Sequence, residues 1–305
     1  MPAELIDGVA IAREIRQRVA KDTAALTARG VVPGLAVILV GDDPASAAYV
    51  RSKGIACAEA GIHSTTTRLP AEVTQQALTS LIDELNADPA VHGILVQIPL
   101  ARQIDADAVM LRVDPEKDVD GFHPVNVGKM LIGRRDGFIP CTPAGIQELL
   151  RASGVSTDGK ECVIVGRSNI VGKPMAALLM QDAEGGNCTV TVCHRHTRDL
   201  RAHTLRAELL IVAAGRANLV TGDMIRPGAV VIDVGMNRVP DAAARSGYRL
   251  VGDVEQSSAR NVASLITPVP GGVGPMTIAM LLSNTVRAAT RFADARGSTP
   301  QAIRA

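Results

Sequence analysis

The stretch ECVIVGRSNIVGKPMAALLM, residues 161–180, decides the fold. It opens with a short apolar run closed by Gly166, as a strand buried on both faces would read. Gly172 then opens an apolar segment of helical length. Strand, glycine turn and helix in that order begin a βαβ unit. Downstream, TVTVC (189–193), AELLIVAAG (207–215) and AVVIDVG (229–235) repeat the strand signal. The spacing predicts a doubly wound parallel sheet.

The same alternation runs upstream. IAREIRQRVAKDTAALTARG (11–30) reads as an amphipathic helix stopped by Gly30, and GLAVILVG (34–41) as a buried parallel strand. DDPASAAYVRSKGIACAEAG (42–61) is a helix capped by Asp43 before Pro44, or by Ser46, and ended by Gly61. A polar strand at 62–69, a helix at 73–87 and a buried strand, VHGILVQIPL (91–100), follow. RVDPEKDVDGFHPVNVG (112–128) reads as a long loop and CTPAGIQELLRASG (141–154) as a connecting helix. The last helix is GPMTIAMLLSNTVRAATRFADA (274–295), and the polar tail from Arg296 is expected to fray. Two βαβ series predict two α/β domains with a boundary near 140–150.

Composition narrows the function. The chain has 305 residues, 47% of them hydrophobic and 21% charged, which suits a soluble globular protein. A net charge of +1 with interspersed signs and only 2% aromatic residues gives no support for a nucleic-acid or membrane partner. No apolar run approaches the roughly 20 residues of a membrane span. MPAELIDGVAIAREIRQRV (1–19) carries Glu4 and Asp7 and has no apolar core of signal-peptide length. The five cysteines (Cys57, Cys141, Cys162, Cys188, Cys193) form no C-x-x-C pair, so a reduced, cytoplasmic protein is expected.

The Gly166 turn is the first chemical candidate. A helix starting at Gly172 would offer free N–H groups and a positive dipole end to a pyrophosphate. The alternative is an ordinary tight βα turn. The pattern is G-x5-G, which is neither the dinucleotide fingerprint nor a P-loop, since Lys173 is followed by Pro174. The next strand ends in His194, Arg195 and His196. With Arg167 in the first turn, that end is basic, where NAD sites usually carry an acid for the ribose diol. A basic pocket suits a 2′-phosphate, which favours NADP; the alternative is a solvated basic loop. Two histidines without further spaced ligands make no metal site, so no metal is expected.

Tyr49 and Lys53 stand at i, i+4 and share one helix face. On spacing alone, a tyrosine packed under a lysine stem is the simpler reading. Gln97, however, is a polar residue near the end of a buried strand, where it needs a partner or a ligand. Asp120 lies in EKDVDG (116–121). Counting from Glu116 mimics a calcium loop as far as Gly121, but the twelfth place is Val127, not Glu, which excludes it. TPVPGGVGPMT (267–277) is a dense Pro/Gly loop that could approach a ligand closely or simply lead into the last helix.

Taken in order, YVRSK (49–53), VQIPL (96–100), PEKDVDGFHPVNVG (115–128), CTPAG (141–145), GRSNIVGKP (166–174), VIDVGMN (231–237), GDV (252–254) and TPVPGGVGPMT (267–277) resemble the bifunctional methylenetetrahydrofolate dehydrogenase/cyclohydrolase family. Each piece alone is weak; the ordered set spans nearly the whole chain. The resemblance implies a homodimer whose subunits each have two α/β domains flanking a cleft. A folate-binding catalytic domain would span 1–143, completed by the C-terminal helix at 275–295. A Rossmann-like NADP-binding domain would span 144–274. The implied reactions are NADP-dependent oxidation of 5,10-methylenetetrahydrofolate to the methenyl cation and hydrolysis of that cation to 10-formyltetrahydrofolate.

Residue by residue, the resemblance makes Lys53 the catalytic lysine, Tyr49 the platform stacking on the folate, Gln97 the support of Lys53, and Asp120 the anchor of the pterin. Gly271, Gly272 and Val273 would line the folate site; Gly166, Arg167, Ser168, Arg195 and Met236 would contact NADP. Some relatives carry serine at the position of Arg195. QDAEGGNC (181–188) is slightly long for the pattern and is expected to be a surface excursion. The chemistry fits these types. Hydride loss leaves a cation, which a neutral lysine would not oppose, and burial works toward that form. Hydrolysis needs a base to activate water. Two alternatives remain: a dehydrogenase without the hydrolytic step, and a non-catalytic NADP- or folate-binding regulator.

Overall fold

A computed structural model describes residues 2–244 and 247–297. Its elements run β1 (Glu4–Leu5), α1 (Gly8–Ala28), β2 (Gly34–Val40), α2 (Pro44–Glu59), β3 (His63–Leu69), α3 (Gln75–Ala87), β4 (Gly93–Val96), α4 (Ala106–Arg112) and α5 (Pro124–Leu131). They continue with α6 (Cys141–Ala152), β5 (Glu161–Val165), α7 (Gly172–Leu179), β6 (Thr189–Cys193), α8 (Leu200–Thr204), β7 (Leu209–Val212) and β8 (Val230–Asp233). Last come β9 (Asn237–Pro240), β10 (Tyr248–Val251), α9 (Gln256–Ala259), β11 (Leu265–Ile266) and α10 (Val273–Gly297). Every apolar run singled out above is a parallel strand. The polar tail expected beyond the last helix lies, from residue 298, outside the described residues.

The described residues divide into two units, one of 2–12, 130–134 and 140–277, the other of 13–129, 135–139 and 278–297. The first holds a six-stranded sheet in the order β1-β11-β8-β7-β5-β6, parallel throughout. Strand order reverses at β5, with β6 on one side and β7 on the other, and such a switch point opens a crevice at the carboxyl ends of the strands. Val163, Val165, Leu210, Val212, Val231 and Ile266 form its buried core. β1, only two residues long, is too short to read from sequence; it pairs with β11 and carries the first residues into this sheet. The β9–β10 hairpin was also unforeseen, and Arg238 lies over the Tyr248 ring there, 4.8 Å from its centroid. Residues 181–188 turn at the surface, with Asp182, Glu184 and Asn187 exposed and Cys188 buried.

The second unit is built on a three-stranded parallel sheet in the order β3-β2-β4. β2 is buried along its whole length, as its unbroken apolar run demands, whereas polar β3 is an edge strand. α3 and α4 place Leu78, Ile82 and Val109 in the core around Ile38, Ile94 and Val96. The expected loop 112–128 is a loop only to His123. Asp118, 1% exposed, accepts from the N–H groups of Gly121 (3.1 Å) and His123 (2.8 Å) and from Asn126 Nδ2 (2.9 Å). It thereby seats the chain for α5, which starts at Pro124, where a missing N–H costs nothing.

Candidate active site

Asp43 is the cap of α2: its carboxylate accepts from Ser46 N at 2.7 Å, and Pro44 takes the first helical position. From that start, Ser46, Val50, Lys53 and Cys57 form one buried stripe at helical spacing. Lys53 thus occupies a core position and is 4% exposed. Its Nζ donates to Gln97 Oε1 at 3.1 Å and stands 4.4 Å from the centroid of the Tyr49 ring. Gln97 Nε2 donates to the Ile98 carbonyl at 2.8 Å, which turns the amide oxygen toward the lysine. The strand's last backbone contact, Gln97 N to Ile38 O at 2.9 Å, fixes the side chain's origin. Burial pushes the Cys57 thiol up to about 11, so it stays protonated one turn beyond Lys53.

Asp120 is half-buried in the turn Asp118–Gly121, which follows a parallel bridge between Asp118 and Ile94 of β4. The structure therefore gathers Lys53, Tyr49 and Gln97 into one contact set and puts Asp120 on the loop beside the same strand. Asp118, which holds that loop, was not assigned a role from sequence. Its only signal there was its place in the EKDVDG run.

In the other unit, Gly166 ends β5 with φ 135°, a backbone that L side chains rarely adopt. A Cβ there would collide with the Ala213 carbonyl oxygen at the end of β7, so the turn lies directly at the switch point. One expectation is corrected. The N–H groups of Val171 and Gly172 donate to Ser168 Oγ at 3.1 and 3.4 Å, and Lys173 N donates to Ser168 O at 3.0 Å. With Pro174 next, the first turn of α7 offers no unclaimed N–H, because Ser168, in the loop before the helix, takes these groups through its hydroxyl and its carbonyl. Ser168 is exposed, but its hydroxyl is already engaged.

The basic end of the sheet is as the sequence reads. Arg167, Arg195 and His196 are exposed, and Arg195 Nε donates to His196 Nε2 at 3.0 Å. His194 is held below the usual histidine value by desolvation first, then by Arg167, His196 and Arg195. An excess of positive charge of this kind is what an added phosphate relieves.

Met236 is 57% exposed and lies in the chain between two buried acids, Asp233 and Asp253. Asp233 accepts from the N–H groups of Gly235 (3.0 Å), Asp253 (2.9 Å) and Val254 (3.0 Å). Burial raises its pKa to about 6, the nearby Asp253 carboxylate adds to this, and the three N–H groups oppose it. A Cβ on Gly252 would collide with Asp233. Gly271 (φ 106°) is half-buried, and Gly272 and Val273 are buried at the start of α10. The loop is closely packed: a Cβ on Gly272 would lie 2.6 Å from Pro268 O. Among the described residues no helix is long and apolar enough to cross a membrane, and no cluster of His, Cys, Asp or Glu could hold a metal.

A parallel sheet with a glycine turn at its switch point and a basic rim, joined in one chain to a unit bearing a buried lysine, defines a two-unit α/β protein with a Rossmann-like nucleotide-binding sheet. Comparison with known proteins narrows this. Residues 6–120 match the tetrahydrofolate dehydrogenase/cyclohydrolase catalytic domain, and residues 140–293 match the NAD(P)-binding domain of the same name. The chain belongs to the tetrahydrofolate dehydrogenase/cyclohydrolase family. It is 56% identical to the bifunctional protein FolD of Chlorobium phaeobacteroides over 291 residues, 95% of this chain and 99% of that one. The crystal structure of the bifunctional FolD of Campylobacter jejuni superposes with a TM-score of 0.90 at 48% identity, covering 95% of this chain and 99% of that one. That of Trypanosoma brucei FolD, complexed with NADP cofactor and inhibitor, gives 0.90 at 43%, covering 95% and 98%.

Proposed function

We propose that this chain oxidises 5,10-methylenetetrahydrofolate with NADP and hydrolyses the resulting methenyl cation to 10-formyltetrahydrofolate. The observation that carries the hydrolytic half is a lysine in a core position, held by an oriented amide and stacked on a tyrosine. The folate binds the unit containing Lys53; the cofactor binds the sheet of the other unit. Tyr49 offers its ring face to the flat part of the folate. Asp120 accepts from the pterin's amino and ring N–H groups, a bidentate match. Lys53, in its amine form, takes a proton from the water that attacks the methenyl carbon, and Gln97 keeps Nζ in place.

The residues present fit NADP: Gly166 leaves no room for a side chain at the switch point, and exposed Arg167 and Arg195, which both act on His194, supply cations suited to a 2′-phosphate. When bound, NADP supplies the hydride acceptor. Met236 and the Gly166 backbone line its place, and Ser168 contributes by shaping the turn. The same reading makes the protein a cytoplasmic homodimer; sedimentation of the purified chain would test the dimer.

The deciding experiment follows NADPH, methenyl species and 10-formyl product together. NADPH with 10-formyl product and little accumulated methenyl species supports both steps. Methenyl species decaying at the uncatalysed rate would leave a dehydrogenase alone. No turnover with NADP or NAD would leave a binding protein.

A further inference from the structure

Asp253 has no exposed surface, and its carboxylate accepts four hydrogen bonds. Three come from successive N–H groups, Ala214 (2.6 Å), Gly215 (2.8 Å) and Arg216 (2.9 Å), and one from Asn237 Nδ2 (2.8 Å). Three converging N–H groups at the carboxyl end of a strand form a nest of the kind that binds phosphate. Here the protein's own carboxylate fills it, so the nest holds the loop after β7.

That loop begins at Ala213, whose carbonyl blocks any side chain on Gly166. The height of the Gly166 turn is therefore set from the Asp253 side. The fourth donor, Asn237, follows Met236 directly. Asp233 braces the arrangement from behind by accepting the N–H groups of Asp253 and Val254. We infer that Asp253 is a positioning residue of the cofactor site, fixing the Gly166 turn and the Met236 loop without touching NADP. This rests on the NADP reading given above.

Asp253→Asn keeps the shape but turns an NH₂ group toward N–H donors. Two activities of the full chain are compared: NADP-dependent oxidation, and hydrolysis of methenyltetrahydrofolate supplied without NADP. The expected result is an NADP KM raised about tenfold or more, with the kcat of oxidation within about threefold and hydrolysis within about twofold of wild type. Asn237→Ala, which removes a single donor, should raise the NADP KM about threefold with the same split. An unchanged NADP KM in both variants, or both activities falling together in both, overturns the inference. If Asp253→Asn does not fold, Asn237→Ala decides by the same criteria. A wild-type chain inert with NADP would instead overturn the functional reading, and titration with NADPH would then decide: binding weakened in the variants keeps the positioning role, and unaltered or absent binding removes it.

Discussion

Replacing Gln97 with alanine isolates the hydrolytic step. The amide oxygen sits 3.1 Å from the Nζ of Lys53, a residue that is 4% exposed, and the amide is itself held by the Ile98 carbonyl. Losing a bond to a buried, ionisable group costs about 1–3 kcal/mol, and each 1.4 kcal/mol is tenfold in rate, so hydrolysis should slow roughly 5- to 150-fold. Hydride transfer needs no proton moved by Lys53 and should slow less than about fivefold. Gln97→Glu would set a carboxylate against the lysine and hold it as ammonium, which should slow hydrolysis further. The assay is decay of methenyl absorbance against the enzyme-free rate, with NADPH formation followed in parallel. Wild-type hydrolysis by Gln97→Ala would refute the reasoning. So would equal losses in both activities with a lowered melting temperature, because Gln97 would then be only a packing residue.

Neutral replacements of Arg167 and Arg195 should raise the KM for NADP at least tenfold more than that for NAD, since only the 2′-phosphate is lost as a partner; equal changes for both cofactors would count against that site. Gly252→Ala drives a methyl into the Asp233 carboxylate and should cost about 1–3 kcal/mol, lowering the melting temperature by roughly 2–10 °C; an unchanged melting curve would contradict the packing described. Buried Asp233 gives stability a pH dependence. Its folded pKa of about 6 lies above the ordinary 3.8, so its contribution to stability is full below pH 3.8 and is lost as pH rises through 6. A difference of 6 − 3.8 = 2.2 units corresponds to about 3 kcal/mol. Asp233→Asn should therefore gain up to about that much relative to wild type between pH 4 and pH 7.5 in denaturant unfolding, and a pH-independent difference would disprove it.

Continuous apolar runs carried the fold. β2, β4, β5, β7 and β8 are buried on both faces, so their composition alone marks them. β1 and β11 escaped because two residues hold no period, and α5 because its start depends on Asp118, whose partners are backbone groups across a turn and the Asn126 side chain beyond it. Among the site residues, Lys53 and Gln97 were legible as polar side chains in apolar surroundings, and their contact is present. The α7 terminus misled because a strand–glycine–helix pattern says nothing about who takes the N–H groups, and Ser168 does. Asp253 stood in a recognised motif, but its role needed the fold, since Ala214 is 39 residues away in the chain.

The scarcity of large rings has a practical consequence. The chain has no tryptophan and two tyrosines, one beneath Lys53 and one in the β9–β10 hairpin under Arg238. Tyr248→Phe would leave Tyr49 as the sole strong intrinsic fluorophore, its ring centroid 4.4 Å from Lys53 Nζ. Its emission would then report on that one spot, without the tryptophan background that obscures tyrosine signals in most enzymes.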